Sequence, residues 1–237
     1  MLLPPSVRVF EANDTLPDGA RIRAMYTRIA LGDRNLRLRA VGGGEGPHFR
    51  LRTPAEYATL NQAIWLANGG YFGANASVSL VITDGNGVAP NQKTFVRNTR
   101  SYSPTRGAFG LLNRVPDVAW VYGLGGSLDG PDNTTWAYPN PSPNDPAQPA
   151  QPGPSATFPT GGAVWNASQA VGGGPVLVRN GAVRITTAEE IIPDDIALGR
   201  NPRTDVGYRT ADTVIVVTVD GRQAASAGAT LAELAQL

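Results

Sequence analysis

Short apolar runs, each closed by a glycine, proline or aspartate turn, set the narrowest limit on what this chain can become. Segments 7–11, 21–31 and 36–41 carry β-favouring or alternating patterns between such turns. Leu36, Arg37, Leu38 and Arg39 alternate strictly, which predicts a strand with one wet face. Thr53-Pro54-Ala-Glu56 reads as an N-cap with proline at the first helical position, and predicts a short helix to about Gln62. An apolar strand over 63–67 should follow and deliver Asn68. Asp84-Gly-Asn-Gly87 is a hairpin turn signal between 78–83 and Val88. Further strands are expected at 107–112, 118–122 and, broken by glycines, 163–178. Segment 213–219 is the clearest buried strand. Short helices are expected at 187–192, with Thr187 as cap, and at 229–237, where Leu231, Leu234 and Leu237 recur at helical spacing. The class that fits is α+β, with a mixed, mainly antiparallel sheet core and a few short helices.

One stretch differs. Residues 129–162 hold closely spaced prolines with Asn, Ser, Gln and Ala and few large aliphatics, a composition that favours extended, solvated backbone. It reads as a long Pro-rich surface insertion inside a single domain of 1–237, with Trp136, Tyr138 and Phe158 as the residues able to pin it down. A chain of 237 residues can bury a substantial core.

Bulk composition removes several functions. The formal net charge of +1 gives no electrostatic footprint for nucleic acid or an anionic membrane. Cysteine is absent, which excludes disulfides, thiolate catalysis and cysteine–zinc sites. His48 is the only histidine and sits in a Gly-rich stretch that reads as a surface loop, so no histidine-rich metal site is expected. No metal or cofactor is expected. No run reaches the roughly 18–20 apolar residues that span a bilayer, and Met1-Leu-Leu-Pro-Pro shows no signal-peptide pattern. Asn-x-Ser/Thr matches at Asn13, Asn75, Asn133 and Asn166 carry little weight in so Asn- and Ser/Thr-rich a chain. Lys93 is the only lysine; the other basic residues are arginines, whose planar fork suits phosphate better than an ammonium does.

Three segments place glycine beside amide, guanidinium or carboxylate groups at the ends of strand-like runs. In Asn68-Gly-Gly-Tyr-Phe72, Asn68 can hydrogen-bond a sugar or phosphate while Gly69 and Gly70 let a ligand approach bare backbone. Tyr71 or Phe72 would then wall a sugar face; equally, the segment is a tight turn with two core aromatics. Gly172-Gly-Gly-Pro175 can present backbone N–H groups of Gly173 and Gly174 to an anion. It is neither a Walker loop nor a dinucleotide fingerprint, and glycine turns are common in β-rich proteins. In Arg200-Asn-Pro-Arg-Thr204, Arg203 can grip a phosphate bidentately and Thr204 adds a hydroxyl. The plain alternative is a solvated loop whose arginines pair with Asp194, Asp195 or Asp205. Asp220-Gly-Arg222 ends the 213–219 strand, where a carboxylate suits acid–base work or the holding of an arginine such as Arg222.

In order and spelling, these segments resemble the phosphodiester glycosidase family from about Thr53 to Leu237. The resemblance implies hydrolysis of the glycosidic bond of a sugar-1-phosphodiester, with release of a sugar and a phosphomonoester. It implies a sugar-phosphodiester or glycan substrate, bacterial relatives and an extracytoplasmic setting. It assigns Arg203 to the phosphate, Asp220 to acid–base chemistry or orientation, Asn68 to sugar or transition-state contact, and Arg222 to a second cation or a partner of Asp220. Gly69, Gly70, Tyr71, Gly173, Gly174 and Thr204 become substrate-binding positions. Two departures stand out. The family usually reads Arg-Thr-Ala where this chain has Arg203-Thr204-Asp205, so Asp205 repels phosphate, pairs with Arg203 or serves as an extra acid–base group. The family's Asp-Gly-Gly-Gly-Ser-like turn would also fall beyond Leu237, so the resemblance implies a chain that stops short of it. From a different class, a non-catalytic carbohydrate- or cell-surface-binding module would keep the scaffold without the chemistry.

Overall fold

The computed structural model describes residues 2–44, 49–125 and 134–237. Its first sheet has four strands, β1 (Val7–Thr15), β2 (Arg21–Ala30), β14 (Arg203–Thr210) and β15 (Thr213–Val219), in the order β1-β2-β15-β14. The second has seven: β3 (Val81–Thr83), β4 (Asn86–Ala89), β7 (Arg106–Leu112), β8 (Val115–Leu124), β9 (Thr134–Tyr138), β10 (Ala163–Val164) and β11 (Gln169–Gly172). They run in the order β10-β9-β8-β7-β11-β3-β4. Two hairpins, β5–β6 (Phe95–Arg97 with Arg100–Tyr102) and β12–β13 (Val178–Arg179 with Ala182–Val183), and three short helices complete the described elements. Every strand pairing is antiparallel, so the fold is the expected strand-dominated α+β class.

The register explains why 213–219 reads as unbroken β-branched sequence. Val214 and Val216 turn to one side of the first sheet and pack with Ile29, Leu31, Phe109 and Leu111, joining it to the second sheet. Val219 turns to the other side, against Ile22, Ala24, Leu177, Leu231 and Leu234. Both faces are therefore dry, and a strand dry on both faces needs no polar alternation. Each such aliphatic side chain stabilises the fold by about 1.5–3 kcal/mol on burial.

Local signals hold where the chemistry is local. Helix α1 (Pro54–Asn61) starts on Thr53, whose hydroxyl accepts from the Glu56 amide while the Glu56 carboxylate accepts from the Thr53 amide. This reciprocal pair is the capping box. Asp84-Gly85 and Asn180-Gly181 both take left-handed backbone, with φ of 51° and 80°, then 53° and 75°, and close the β3–β4 and β12–β13 hairpins. Helix α3 (Leu231–Leu234) is capped by Thr230 and buries Leu231 and Leu234, while Leu237 stays exposed.

Three expected elements are not formed. Segment 36–41 has the predicted alternation of burial, and Leu36 and Leu38 pack on the core, but it finds no ladder partner. Segment 63–67 is likewise not a strand; Trp65 and Ala67 reach the same core from an irregular run. At 187–192 the chain makes turns in place of a helix, and the helix α2 (Asp194–Ala197) follows Pro193. In the third case proline at the N-cap position sets the start.

The Pro-rich stretch is more embedded than its composition suggests. Its strand β9 pairs with β8, and Tyr138 is 1% exposed with its hydroxyl donating to the Ser155 carbonyl. The buried Tyr102 donates to the carbonyls of Pro146 and Gln148. Polyproline-like backbone, which lacks internal hydrogen bonds, is here fixed by tyrosine hydroxyls. Residues 45–48, with His48, and 126–133, with Asp129 and Asn133, lie outside the described residues.

Candidate active site

Three separated segments meet beside β14, the edge strand of the four-stranded sheet. The backbone at Gly70 runs so close to the Gly172 carbonyl that a Cβ there would sit 2.2 Å from its oxygen. Only glycine permits that approach. The next residue, Tyr71, donates its amide to Ser79 Oγ at 2.9 Å and its hydroxyl to the Gly174 carbonyl at 2.9 Å. Asn68 Oδ1 accepts from Thr204 Oγ1 at 2.6 Å. The segment 68–72 is thus tied to the glycine turn at one point and to β14 at another.

Arg203 opens β14. Its Nε donates to the Ala229 carbonyl at 3.0 Å, and its Nη2 to the carbonyls of Ile196 and Gly199 at 2.9 and 3.3 Å. No carboxylate pairs with it among the described residues, and its Nη1 has no protein partner there. Burial lowers the guanidinium's pKa, and neighbouring Arg222 pushes the same way; an arginine remains charged regardless. The guanidinium is therefore fixed by neutral acceptors while its charge stays uncompensated. Arg200, by contrast, is consumed structurally: it pairs with Asp18 at 2.6 Å and Glu233 at 2.5 Å, not with Asp194 or Asp195.

Arg203 and Asp205 lie opposite Val219 and Val217 of β15. Two positions apart on a strand, they share a face, while Thr204 between them turns to Asn68. Asp205 is half-buried; its Oδ1 accepts from the Val206 amide at 2.8 Å, and its Oδ2 has no protein partner among the described residues. Burial pushes the Asp205 carboxyl up, against the pull of that amide. The pairing with Arg203 open at the sequence level is absent. Tyr71 stands where the charges meet: burial raises its pKa, and Arg106, Arg203, Glu190 and Asp205 all act on its hydroxyl.

The turn after β15 lies alongside. Arg222 Nη2 donates to Asn201 Oδ1 at 2.7 Å. The Asp220 carboxylate faces Arg23 at 3.7 Å, not Arg222 or Arg203, and its side chain is 49% exposed. The structure therefore gathers Asn68, Gly70, Tyr71, Gly174, Arg203 and Thr204, and leaves Asp220 turned to β2.

Two charged residues behind the glycine turn were not singled out in the sequence. Glu190 is completely buried. It accepts from the amides of Gly107 and Val176 at 2.7 and 2.8 Å, from Thr186 Oγ1 at 2.7 Å and from Trp120 Nε1 at 3.1 Å. Arg106 lies 4.0 Å from it and donates to the Glu190 and Gly173 carbonyls. Burial pushes the Glu190 carboxyl up, with Arg106 and the donors opposing. Two amides and the indole N–H can only donate, and with Arg106 4.0 Å away they favour the ionised form against the upward push of burial. Gly174, at φ 92°, passes so near that a Cβ would lie 2.2 Å from Glu190 Oε2. The overlooked signal was a charged residue directly bounding an apolar run: Glu190 before Ile191-Ile192, and Arg106 at the first position of β7. Among the described residues, no group of three or more His, Cys, Asp or Glu side chains is placed to hold a metal ion. No described helix is long and apolar enough to cross a membrane.

By architecture this is a strand-dominated α+β protein whose polar cluster sits at the edge of an antiparallel sheet. A family model for phosphodiester glycosidases matches residues 61–237, and the chain belongs to that family. Among curated proteins none matches it. Two solved structures share the fold. A hypothetical protein from Synechocystis superposes with a TM-score of 0.55 at 13% identity, covering 98% of this chain and 56% of that one. The catalytic domain of zebrafish N-acetylglucosamine-1-phosphodiester alpha-N-acetylglucosaminidase, auto-inhibited by its pro-peptide, gives 0.50 at 19%, covering 98% and 67%. The chain thus spans a little over half the length of the first.

Proposed function

We propose that the chain hydrolyses the glycosidic bond of sugar-1-phosphodiesters, releasing the sugar and a phosphomonoester. The observation that carries this reading is the state of Arg203: a guanidinium oriented by three carbonyls, without a carboxylate partner, beside a glycine turn and an amide. With Nε and Nη2 held by those carbonyls, the free Nη1 donors and the uncompensated charge suit a non-bridging oxygen of a phosphodiester. Asn68, whose Oδ1 is taken by Thr204, keeps its amide NH₂ for a sugar hydroxyl or the developing charge. Gly70 and Gly174 let the 68–72 segment and the glycine turn close on each other and on Glu190. Gly173 has open space beside it although its amide is bonded to the Gly107 carbonyl, and Gly69 and Tyr71 are proposed as substrate contacts. Arg222 adds a second positive charge at the rim. Asp220, through its ion pair with Arg23, supports the turn that carries Arg222, which favours an orienting role.

The test is turnover of a p-nitrophenyl or methyl diester of a sugar 1-phosphate by wild type and Arg203→Ala. Loss of one preorganised cation should lower kcat/KM by about 100- to 1,000-fold. Arg203→Lys should restore little, because one ammonium cannot keep the three carbonyl bonds that fix the charge and still present a donor to the phosphate. Activity in Arg203→Ala within a few-fold of wild type would remove the guanidinium from the mechanism.

A further inference from the structure

Hydrolysis of a sugar-1-phosphodiester makes unequal demands on its acid and its base. The departing phosphomonoester has a second pKa of about 6, so it leaves as a stable anion and needs no donated proton. What needs help is the incoming water, which must lose a proton as its oxygen bonds to the anomeric carbon. A carboxylate serves this purpose only if one oxygen is open and no cation holds it.

Two carboxylates act on Tyr71, Glu190 and Asp205. Glu190 is sealed: it is completely buried and its oxygens are taken by four donors. Asp220 is paired with Arg23. Of these three carboxylates Asp205 meets the requirement, with Oδ2 unpartnered among the described residues and the residue partly buried, unlike the exposed Asp194 and Asp195 of α2. It shares a strand face with Arg203, two residues away, about 6.6 Å along the strand. Both charges act on the Tyr71 hydroxyl. A phosphate on Arg203 therefore brings the neighbouring anomeric carbon and its water toward Asp205.

We infer that Asp205 is the general base of this site, taking the proton from the attacking water while Arg203 holds the phosphate; the assignment rests on the hydrolase reading above. The water oxygen bonds to the anomeric carbon, and the carbon–oxygen bond to phosphate breaks with its electron pair going to the phosphomonoester. The water proton passes to Asp205 and then to solvent. Around Asp205 stand Tyr71 from the 68–72 segment, with Arg106 and Glu190 behind it, Arg203 on the same strand, and Val217 and Tyr26 across β15 and β2. Tyr71 and Tyr26 are both raised, chiefly by burial, and stay neutral in the working range. Since burial pushes the Asp205 carboxyl up, the acid limb of kcat/KM should lie above that of an ordinary aspartate.

The experiment compares wild type, Asp205→Asn and Asp205→Ala on a methyl diester of a sugar 1-phosphate, each checked for a wild-type-like thermal unfolding transition. The expected result is a fall in kcat of about 100- to 10,000-fold with KM little changed, and loss of the acid limb in Asp205→Asn. Azide, an anionic nucleophile that needs no deprotonation, should restore turnover in Asp205→Ala and yield the glycosyl azide. Should Asp205→Ala not fold, the isosteric Asp205→Asn carries the same pH and azide readouts. Turnover in folded Asp205→Asn within a few-fold of wild type, or a slow variant that azide does not rescue, overturns the assignment and leaves the hydrolase reading standing. Wild type inactive on diesters of several sugars removes both.

Discussion

Replacing Glu190 by glutamine keeps the volume of this completely buried side chain but removes its charge. The amide oxygen can still serve the Oε1 side, where Val176, Thr186 and Trp120 donate. The new NH₂ group must then face the Gly107 amide and Arg106, which are themselves donors. Removing one partner of a buried pair costs about 3–5 kcal/mol, because the remaining charge is left uncompensated. Against a total stability of about 5–15 kcal/mol that is a large share. At about 2–4 °C per kcal/mol for a chain of this size, Tm should fall by roughly 6–20 °C. Urea unfolding with linear extrapolation measures the difference directly. Adding Arg106→Met to Glu190→Gln should recover part of the loss, since no uncompensated charge then stays buried. A Glu190→Gln protein within about 1 kcal/mol of wild type would refute the ionised pair.

Two further outcomes follow from contacts already described. Gly70→Ala should abolish turnover and cost stability, because its Cβ would lie 2.2 Å from the Gly172 carbonyl oxygen, a backbone atom; an active, stable variant would separate the 68–72 segment from the glycine turn. Glu233 has its pKa lowered chiefly by the Arg200 hydrogen bond. A depressed carboxyl contributes stability above its unfolded value of 4.5 and loses it as pH falls through the lower folded value. The Tm gap between wild type and Glu233→Gln, which retains the capping geometry, should therefore be present at pH 7 and shrink toward pH 3; an unchanging gap would contradict the linkage.

What could be read from the sequence was what neighbouring residues decide among themselves. The Thr53–Glu56 cap, the Asp84-Gly85 and Asn180-Gly181 turns and the β15 strand each depend on a few adjacent side chains or on simple burial. Segments 36–41 and 63–67 failed as strands because apolar pattern predicts which side chains face the core, not whether a ladder partner is at hand. The meeting of Asn68, Tyr71, Gly174 and Thr204 was suggested only by the family resemblance, since no local rule links positions more than a hundred residues apart. Glu190 and Arg106 stayed hidden because a lone charge in sequence reads as solvated surface until its donors are seen.

The pairing of β2 with β15 has a practical consequence for anyone who trims this protein. The family match starts at residue 61, whereas the ladder partner of β15 lies at Arg21–Ala30. A fragment cut at the match boundary would lose two of the four strands in the sheet that bears Arg203 and Asp205. It would bare the amide row of Thr213–Val219 as a sticky, β-branched margin, a template for self-association. The first thirty residues are thus as much a part of the sheet that bears Arg203 and Asp205 as the last thirty.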